Sequence, residues 1–490
     1  MNTESPMMRR VRSGKLGRGI KVSIVRLHIP RKGRIRFVLI IIALAAGVKV
    51  FGTRTIKKPH SEENVRPTLE TAAPRHVEKP APPRTSFLSF LKFPRIARPQ
   101  KRQVFSHDDL MAFLRTHPPT LLSSHDTVVA ENVRYVVHYS LDTSLQRGAE
   151  KLLARYHPKY GAIVALDPGT GRVAALVSYT REGEPPLGNT LYCKSIFPAA
   201  SIFKTITAAA AIERANVSPE STFALAGRRY TLYKFQLAPT VRFSEDVSLE
   251  DAYSMSINPI FGRIGVYVLG AAGLKEYMRK FGFNTPVPFD IENEMPVANE
   301  VFPDSLLSIA ETASGFNCVT RISPLFGALL AASVSEKGVM PVPTLVDSIS
   351  RSDSSVAYRA SPQLWRTPMR ESTASRLKEL MARVVRTGTA RSSFVYARNS
   401  ACFSDVEYGG KTGTVDEDDL GKIDWFIGFA RHVIDPRQRI AVGVLTVHDQ
   451  YWTVHSSFVG EELFRSYFRG LQRADKTKPR RDTSDSNETQ

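Results

Sequence analysis

Strand-like apolar runs lie at the two ends of a long region of this chain, and helical patterns fill the space between them. Gly161–Asp167 (GAIVALD) and Arg172–Tyr179 (RVAALVSY) flank the turn-forming stretch Asp167-Pro168-Gly169-Thr170-Gly171, the pattern of a β-hairpin. Residues 205 to 330 read as mostly helical, with candidates at 274–283, 303–315 and 323–335, the last carrying Pro324 in its first turn. Strand patterns return at 408–412, 425–431 and 439–447, and a final helix is expected over 458–473. This order implies an α+β fold: an antiparallel β-sheet formed by both ends of the domain, packed with helices, with a mainly helical insert between.

The region ahead of that pattern is built differently. The formal charge of +20 first suggests a nucleic-acid partner, but residues 1–105 carry 24 Lys+Arg against 5 Asp+Glu and so hold nearly all of it. A nucleic-acid enzyme would carry its basic surface on the folded module, so no nucleic acid is expected. Residues 1–36 form a basic tail, and Phe37–Val48 (FVLIIIALAAGV) is free of charge. If Lys49 snorkels, a single transmembrane anchor over 37–53 is expected, with its basic flank cytoplasmic and the rest periplasmic. A cleaved signal peptide, with Ala43-Leu44-Ala45 as its cleavage site, is the alternative, and both readings export the remainder. Prolines crowd 54–105, which reads as a linker or stalk whose one apolar patch is Ser86–Phe93. A short pedestal is expected over 106–158, with helices at 108–114 and 145–156 and a strand at 133–139. The catalytic domain follows over 159–473 and a disordered tail over 474–490. Cys193, Cys318 and Cys402 are too scattered for a metal cluster and read as small buried hydrophobes, with one bridge open in an oxidising compartment. The histidines lack ligand spacing, so neither a metal nor a cofactor is expected.

Chemistry concentrates at Phe197–Glu213 (FPAASIFKTITAAAAIE). A helix there sets the Ser201 hydroxyl and the Lys204 amine on one face, three residues apart. Serine is a poor nucleophile until a base takes its proton, and lysine is such a base only when burial keeps it uncharged. Ser-x-x-Lys also occurs at Ser89/Lys92 and Ser375/Lys378, so the pair alone decides little. Downstream, however, lie Ser256-Ile257-Asn258 and Lys411-Thr412-Gly413, and only Ser201 precedes both within a helical context. An acidic run, Asp416-Glu417-Asp418-Asp419, follows the last motif and reads as a solvated hairpin turn.

The three motifs in this order resemble the transpeptidase domain of penicillin-binding proteins. HYSLDTSLQ (138–146), SLEDAYSMSINPIF (248–261), GTA (388–390) and WFIGFA (425–430) look like further landmarks of that family. The resemblance implies Ser201 as nucleophile, Lys204 as base and Ser256 as relay to the leaving amine. It also implies Asn258, Lys411, Thr412, Gly413 and Thr414 as the substrate-binding set, with backbone N–H groups of Ser201 and Thr414 as oxyanion hole. The expected activity is a monofunctional D,D-transpeptidase that cross-links peptidoglycan stem peptides, is inhibited by β-lactams and works beside a glycosyltransferase partner. A D,D-carboxypeptidase, a β-lactamase and a non-catalytic penicillin-binding scaffold or sensor share the constellation.

Overall fold

The computed structural model describes residues 104–300, 302 and 306–477, together with a two-residue strand pair, Gly14–Lys15 against Lys21–Val22. That pair belongs to a unit spanning residues 1–94; all other elements below belong to a second unit, 95–490. The expected anchor at 37–53, the linker up to residue 103 and the tail from 478 lie outside the described residues. Among the described residues no helix is long and apolar enough to cross a membrane.

Helix α1 (His107–Thr116) starts with a reciprocal cap: Ser106 Oγ accepts the Asp109 N–H while the Asp109 carboxylate accepts the Ser106 N–H. Strands β1 (His125–Ala130) and β2 (Val133–Tyr139) follow, then α2 (Thr143–Tyr156), opened by Asp142, whose Oδ1 accepts from the Ser144 and Leu145 N–H groups. Strands β3 (Tyr160–Leu166) and β4 (Val173–Thr180) form the expected hairpin, and every residue of β3 is buried.

The helical part contains α3 (Lys204–Ala215), α4 (Leu249–Ser254), α5 (Asn258–Arg263), α6 (Gly270–Phe281), α7 (Leu306–Ser314) and α8 (Pro324–Ser335). Strands β5 (Val346–Arg351) and β6 (Val356–Arg359) lead to α9 (Glu371–Arg386). The chain ends in a meander, β7 (Val406–Glu417), β8 (Gly421–His432) and β9 (Arg439–His448), and in α10 (Ser456–Thr477). The last helix thus runs four residues past the expected Arg473, into the stretch read from sequence as tail.

The central sheet is antiparallel throughout, in the order β7-β8-β9-β3-β4. Strand β9, the last in the chain, docks beside the first strand of the hairpin with Val444 opposite Ile163, so both ends of the domain close one sheet. Neighbouring residues on β8 face opposite ways. A Cβ on Gly460 of α10 would meet Phe426, and one on Gly327 of α8 would meet Ile427, which puts these helices on opposite faces. Every residue of α8 is buried, as an apolar helix wedged between a sheet and other helices must be. A Cβ on Gly443 would lie 2.1 Å from the Pro324 carbonyl oxygen, so glycine is what lets β9 approach α8 so closely.

The strand expected over 133–139 is paired on both edges. Strand β2 pairs with β1 and also with β5, Val137 opposite Ile349, in a second sheet of order β6-β5-β2-β1. The segment ahead of the hairpin is thereby tied into the rest by backbone pairing. It is tied again through α2: Gln146, buried, donates from Nε2 to the Leu176 carbonyl (2.8 Å) and accepts the Leu176 N–H at Oε1 (2.8 Å). The side chain replaces a missing neighbour along the edge strand β4. Gln146→Ala leaves both backbone groups without their partner and is expected to lower stability by about 2–3 kcal/mol, read as a drop in the urea midpoint at constant slope.

Candidate active site

Three segments distant in sequence converge at the middle of β7. Ser201 does not sit inside the helix expected there but in a 3-10 turn, Ala200–Phe203, that runs into α3 at Lys204. The turn is entered through Ala200 at φ 48°, a left-handed conformation costly for any residue with a side chain. The chain is held in it by Gly315 at φ +68°, where a Cβ would fall 1.8 Å from the Ala200 carbonyl oxygen, and by Trp425, whose Nε1 donates to the Pro198 carbonyl at 2.8 Å. Ser256, between α4 and α5, is also left-handed, at φ 57°.

Lys204 is fully buried, and its Nζ lies 2.7 Å from Ser201 Oγ, 2.7 Å from Asn258 Oδ1 and 2.5 Å from the Ser314 carbonyl oxygen. Desolvation, and then the charge of Lys411, holds its pKa well below the usual lysine value. A neutral amine has two N–H donors and one lone pair. The Asn258 and Ser314 oxygens can only accept, so they use both N–H groups, and the lone pair is left facing the Ser201 hydroxyl, which then donates to Nζ. That is the alignment a base needs to take the serine proton.

Asn258 is fixed in turn by donation from Nδ2 to the Tyr230 carbonyl, 3.1 Å. Lys411 is also fully buried; its ammonium donates to Ser256 Oγ (2.9 Å) and to the Thr412 carbonyl (2.8 Å), and burial lowers its pKa to about 7. The cleft above these groups has a volume of about 340 Å³ and is lined by Ser201, Ser256, Asn258, Thr412, Gly413 and Thr414, together with Tyr230, Phe316, Thr389 and His455. Seven of the eight sequence-assigned residues thus meet at one surface or directly beneath it through Lys204, while Lys411 stands behind Ser256 rather than on the wall.

Some of the wall escaped sequence reading. Thr389 bonds Thr412 through their hydroxyls at 2.5 Å; it belongs to a segment noted only as a family landmark. Thr414 Oγ1 donates to Oδ1 of the buried Asp424 (3.1 Å), directly opposite on β8, and His455 Nδ1 stands 3.8 Å from the other oxygen of that carboxylate, which raises the histidine pKa. No motif signals Asp424, His455 or the Ser314 carbonyl. The acidic run makes the end of the β7–β8 hairpin: Asp416, Asp418 and Asp419 are exposed, and Asp416 pairs with Lys422 at 2.9 Å. Cys193, Cys318 and Cys402 are all free thiols. Among the described residues no group of three His, Cys, Asp or Glu side chains is placed to hold a metal ion.

The two lysines would act on opposite sides of a pH profile. A base at Lys204 has to be neutral, so a reaction at Ser201 is expected to rise with pH as Lys204 loses its proton. Lys411 contributes while charged, so the rate is expected to fall again as pH passes about 7. The second-order rate constant for serine acylation, followed from acid to alkaline pH, should be bell-shaped with its falling limb near neutrality.

Comparison with known proteins gives a consistent picture. The family description "Penicillin binding protein transpeptidase domain" matches residues 161–468. A peptidoglycan D,D-transpeptidase PbpA of Mycobacterium tuberculosis is 28% identical over 325 residues, covering 59% of this chain and 62% of the relative. Stage V sporulation protein D of Bacillus subtilis is 24% identical, covering 61% of this chain and 47% of its own. This chain therefore aligns with about three fifths or less of the length of these relatives. Among solved structures, penicillin-binding protein A from M. tuberculosis as its imipenem acyl-enzyme superposes with a TM-score of 0.55 at 25% identity, over 67% of this chain and 79% of that one. The D,D-transpeptidase domain of a peptidoglycan glycosyltransferase from Eggerthella lenta shares the fold at a TM-score of 0.57 and 20% identity, over 73% and 87% of the two chains.

Proposed function

This chain belongs to the penicillin-binding protein transpeptidase family, and from that premise we propose that it is a D,D-transpeptidase that cross-links peptidoglycan stem peptides through an acyl-enzyme on Ser201. The observation that carries the reading is the buried Lys204 amine, held by two acceptors so that its third contact is the Ser201 hydroxyl.

In the proposed reaction Ser201 Oγ attacks the carbonyl of the penultimate D-alanine while its proton passes to Lys204. Backbone N–H groups of Ser201 and Thr414 stabilise the oxyanion; a Cβ on Gly413 would stand only 3.2 Å from the Ser201 nitrogen, so the two segments are close enough to share one oxygen. Ser256, hydrogen-bonded to the Lys411 ammonium, delivers a proton to the departing D-alanine amine as the peptide bond breaks. An amine from a neighbouring strand then attacks the ester, its proton returns by the same groups, and Ser201 is released with a new peptide bond. Asn258 aligns the substrate amide, and Thr412 and Thr414 accept or donate at its carboxylate under the positive potential of Lys411.

The wider organisation belongs to the same proposal. Residues 37–53 anchor the chain in the cytoplasmic membrane, 54–105 form a stalk, and the catalytic part over 159–473 works in the periplasm on strands supplied by a glycosyltransferase.

Incubation with a fluorescent penicillin followed by peptide mapping tests the reading: a stable adduct on Ser201 that persists for many minutes is the expected result. An unlabelled protein, or a label on another residue, overturns it, and turnover within seconds assigns the site to a β-lactamase.

A further inference from the structure

One loop that reaches the cleft carries three exposed aromatic rings that the proposed chemistry does not use. Tyr230 lines the cleft, and beyond it in the same loop Tyr233 and Phe235 lie nearly parallel, 17° between planes and 5.9 Å between centroids. Their exposures, 57%, 58% and 56%, are large for three rings of six consecutive residues, since apolar side chains clustered on a surface ordinarily mark a contact site.

The loop is braced rather than slack. Gln236 is fully buried, donates from Nε2 to the carbonyls of Ala226 (2.7 Å) and Arg228 (3.1 Å), and accepts the Tyr233 N–H at 2.8 Å. Leu232 and Leu237 pin the same loop by packing on Ala310 of α7. At its inner end the loop meets the catalytic groups directly: the Arg229 carbonyl accepts the Asn258 N–H (2.8 Å), and the Tyr230 carbonyl accepts from Asn258 Nδ2. The rings are thus held outward at a defined position relative to Ser201, and their ordering costs are met before any ligand arrives.

From this we infer that Tyr230, Tyr233 and Phe235 form a subsite for the glycan strand that carries the stem peptide. The inference rests on the proposed reading of the cleft, because a peptide lying beside Ser201 is covalently joined to a sugar just outside it. The chemistry fits: the face of an aromatic ring is negatively polarised and takes the polarised C–H bonds of a pyranose, while exposed Arg228 and Lys234 offer N–H donors to hydroxyl and acetamido oxygens. Arg228 and Arg229 precede the first ring and Lys234 stands between the other two, so charged N–H donors flank the ring faces, as a hydroxyl-rich ligand requires.

The experiment measures binding of peptide-free strands of alternating N-acetylglucosamine and N-acetylmuramic acid to the full-length chain, wild type and Tyr233→Ala/Phe235→Ala. Wild type should bind, the double variant about tenfold more weakly, and Tyr233→Phe like wild type, because ring faces and not the hydroxyl make the contact. Penicillin acylation of Ser201 should be the same in all three proteins, which certifies the fold and stands apart from glycan binding. Failure of wild type to bind these strands, or equal binding by the double variant, overturns the inference. Absence of acylation in wild type overturns the reading of the cleft instead.

Discussion

Lys204→Met is expected to slow acylation of Ser201 by about 10⁴-fold while leaving near-ultraviolet circular dichroism unchanged. Methionine fills a similar apolar volume but offers no lone pair to the serine proton, and loss of a positioned base accounts for effects of about 10²- to 10⁴-fold. The upper end applies because the amine is the only side chain within hydrogen-bonding reach of Ser201 Oγ in the described residues, at 2.7 Å. The same variant carries a second signature. Burial, and then the Lys411 charge, lowers the Lys204 pKa in the folded protein relative to the unfolded chain, so unfolding takes up a proton between that lowered pKa and about 10.4, and stability contributed by this group rises with pH across that window. Lys204→Met should remove one proton's worth of that slope, up to about 1.4 kcal/mol per pH unit relative to wild type, measured by urea melts from neutral to alkaline pH. An unchanged pH slope in the variant would mean that the lysine is charged in the native state.

Gly315→Ala tests the other half of the site, the backbone that presents the nucleophile. The new Cβ would lie 1.8 Å from the Ala200 carbonyl oxygen and would sit on a residue at φ +68°, so either the 200–201 turn or the end of α7 must move. A displacement of about an ångström at a reacting atom costs on the order of 10²-fold in rate. Acylation is therefore expected to fall at least about 100-fold, with thermal unfolding also lowered, although residue 315 carries no chemistry of its own. Wild-type acylation by this variant would show that the strained turn at Ala200 holds itself.

These two positions mark how far the sequence could be read. The grouping of Ser201, Lys204, Ser256, Asn258 and Lys411 was legible because the motifs hold side-chain identity at fixed spacing. The Ser314 carbonyl was not, since a main-chain acceptor leaves no trace in residue type, and Gly315 looks like any helix-ending glycine until its neighbour is known. Asp424 and His455 were hidden for another reason: they reach the cleft through cross-strand pairing of β7 with β8 and through the start of α10, relations that exist only in three dimensions. At the level of fold, the hairpin and the last three strands were readable from long apolar runs. Strands β1, β5 and β6 were not, because four to six residues with half-exposed faces give too short an alternation to distinguish from loop. Helix α9 also escaped, although its buried face, Thr373, Ala374, Leu377, Leu380, Met381, Val384 and Val385, follows helical spacing.

Strand β9 lies between β8 and β3, so the central sheet is complete only once the C-terminal strands are present. The hairpin of residues 160–180 has its free edge satisfied only by a strand that ends at His448, and Lys411 arrives only with that same C-terminal stretch. A nascent or truncated polypeptide lacking its final hundred or so amino acids holds the serine, the amine and the asparagine, yet has no floor on which to assemble them. Loss of strand β9 or of the segment that carries Lys411 is therefore expected to abolish any reaction at Ser201 from a distance, with the serine itself untouched.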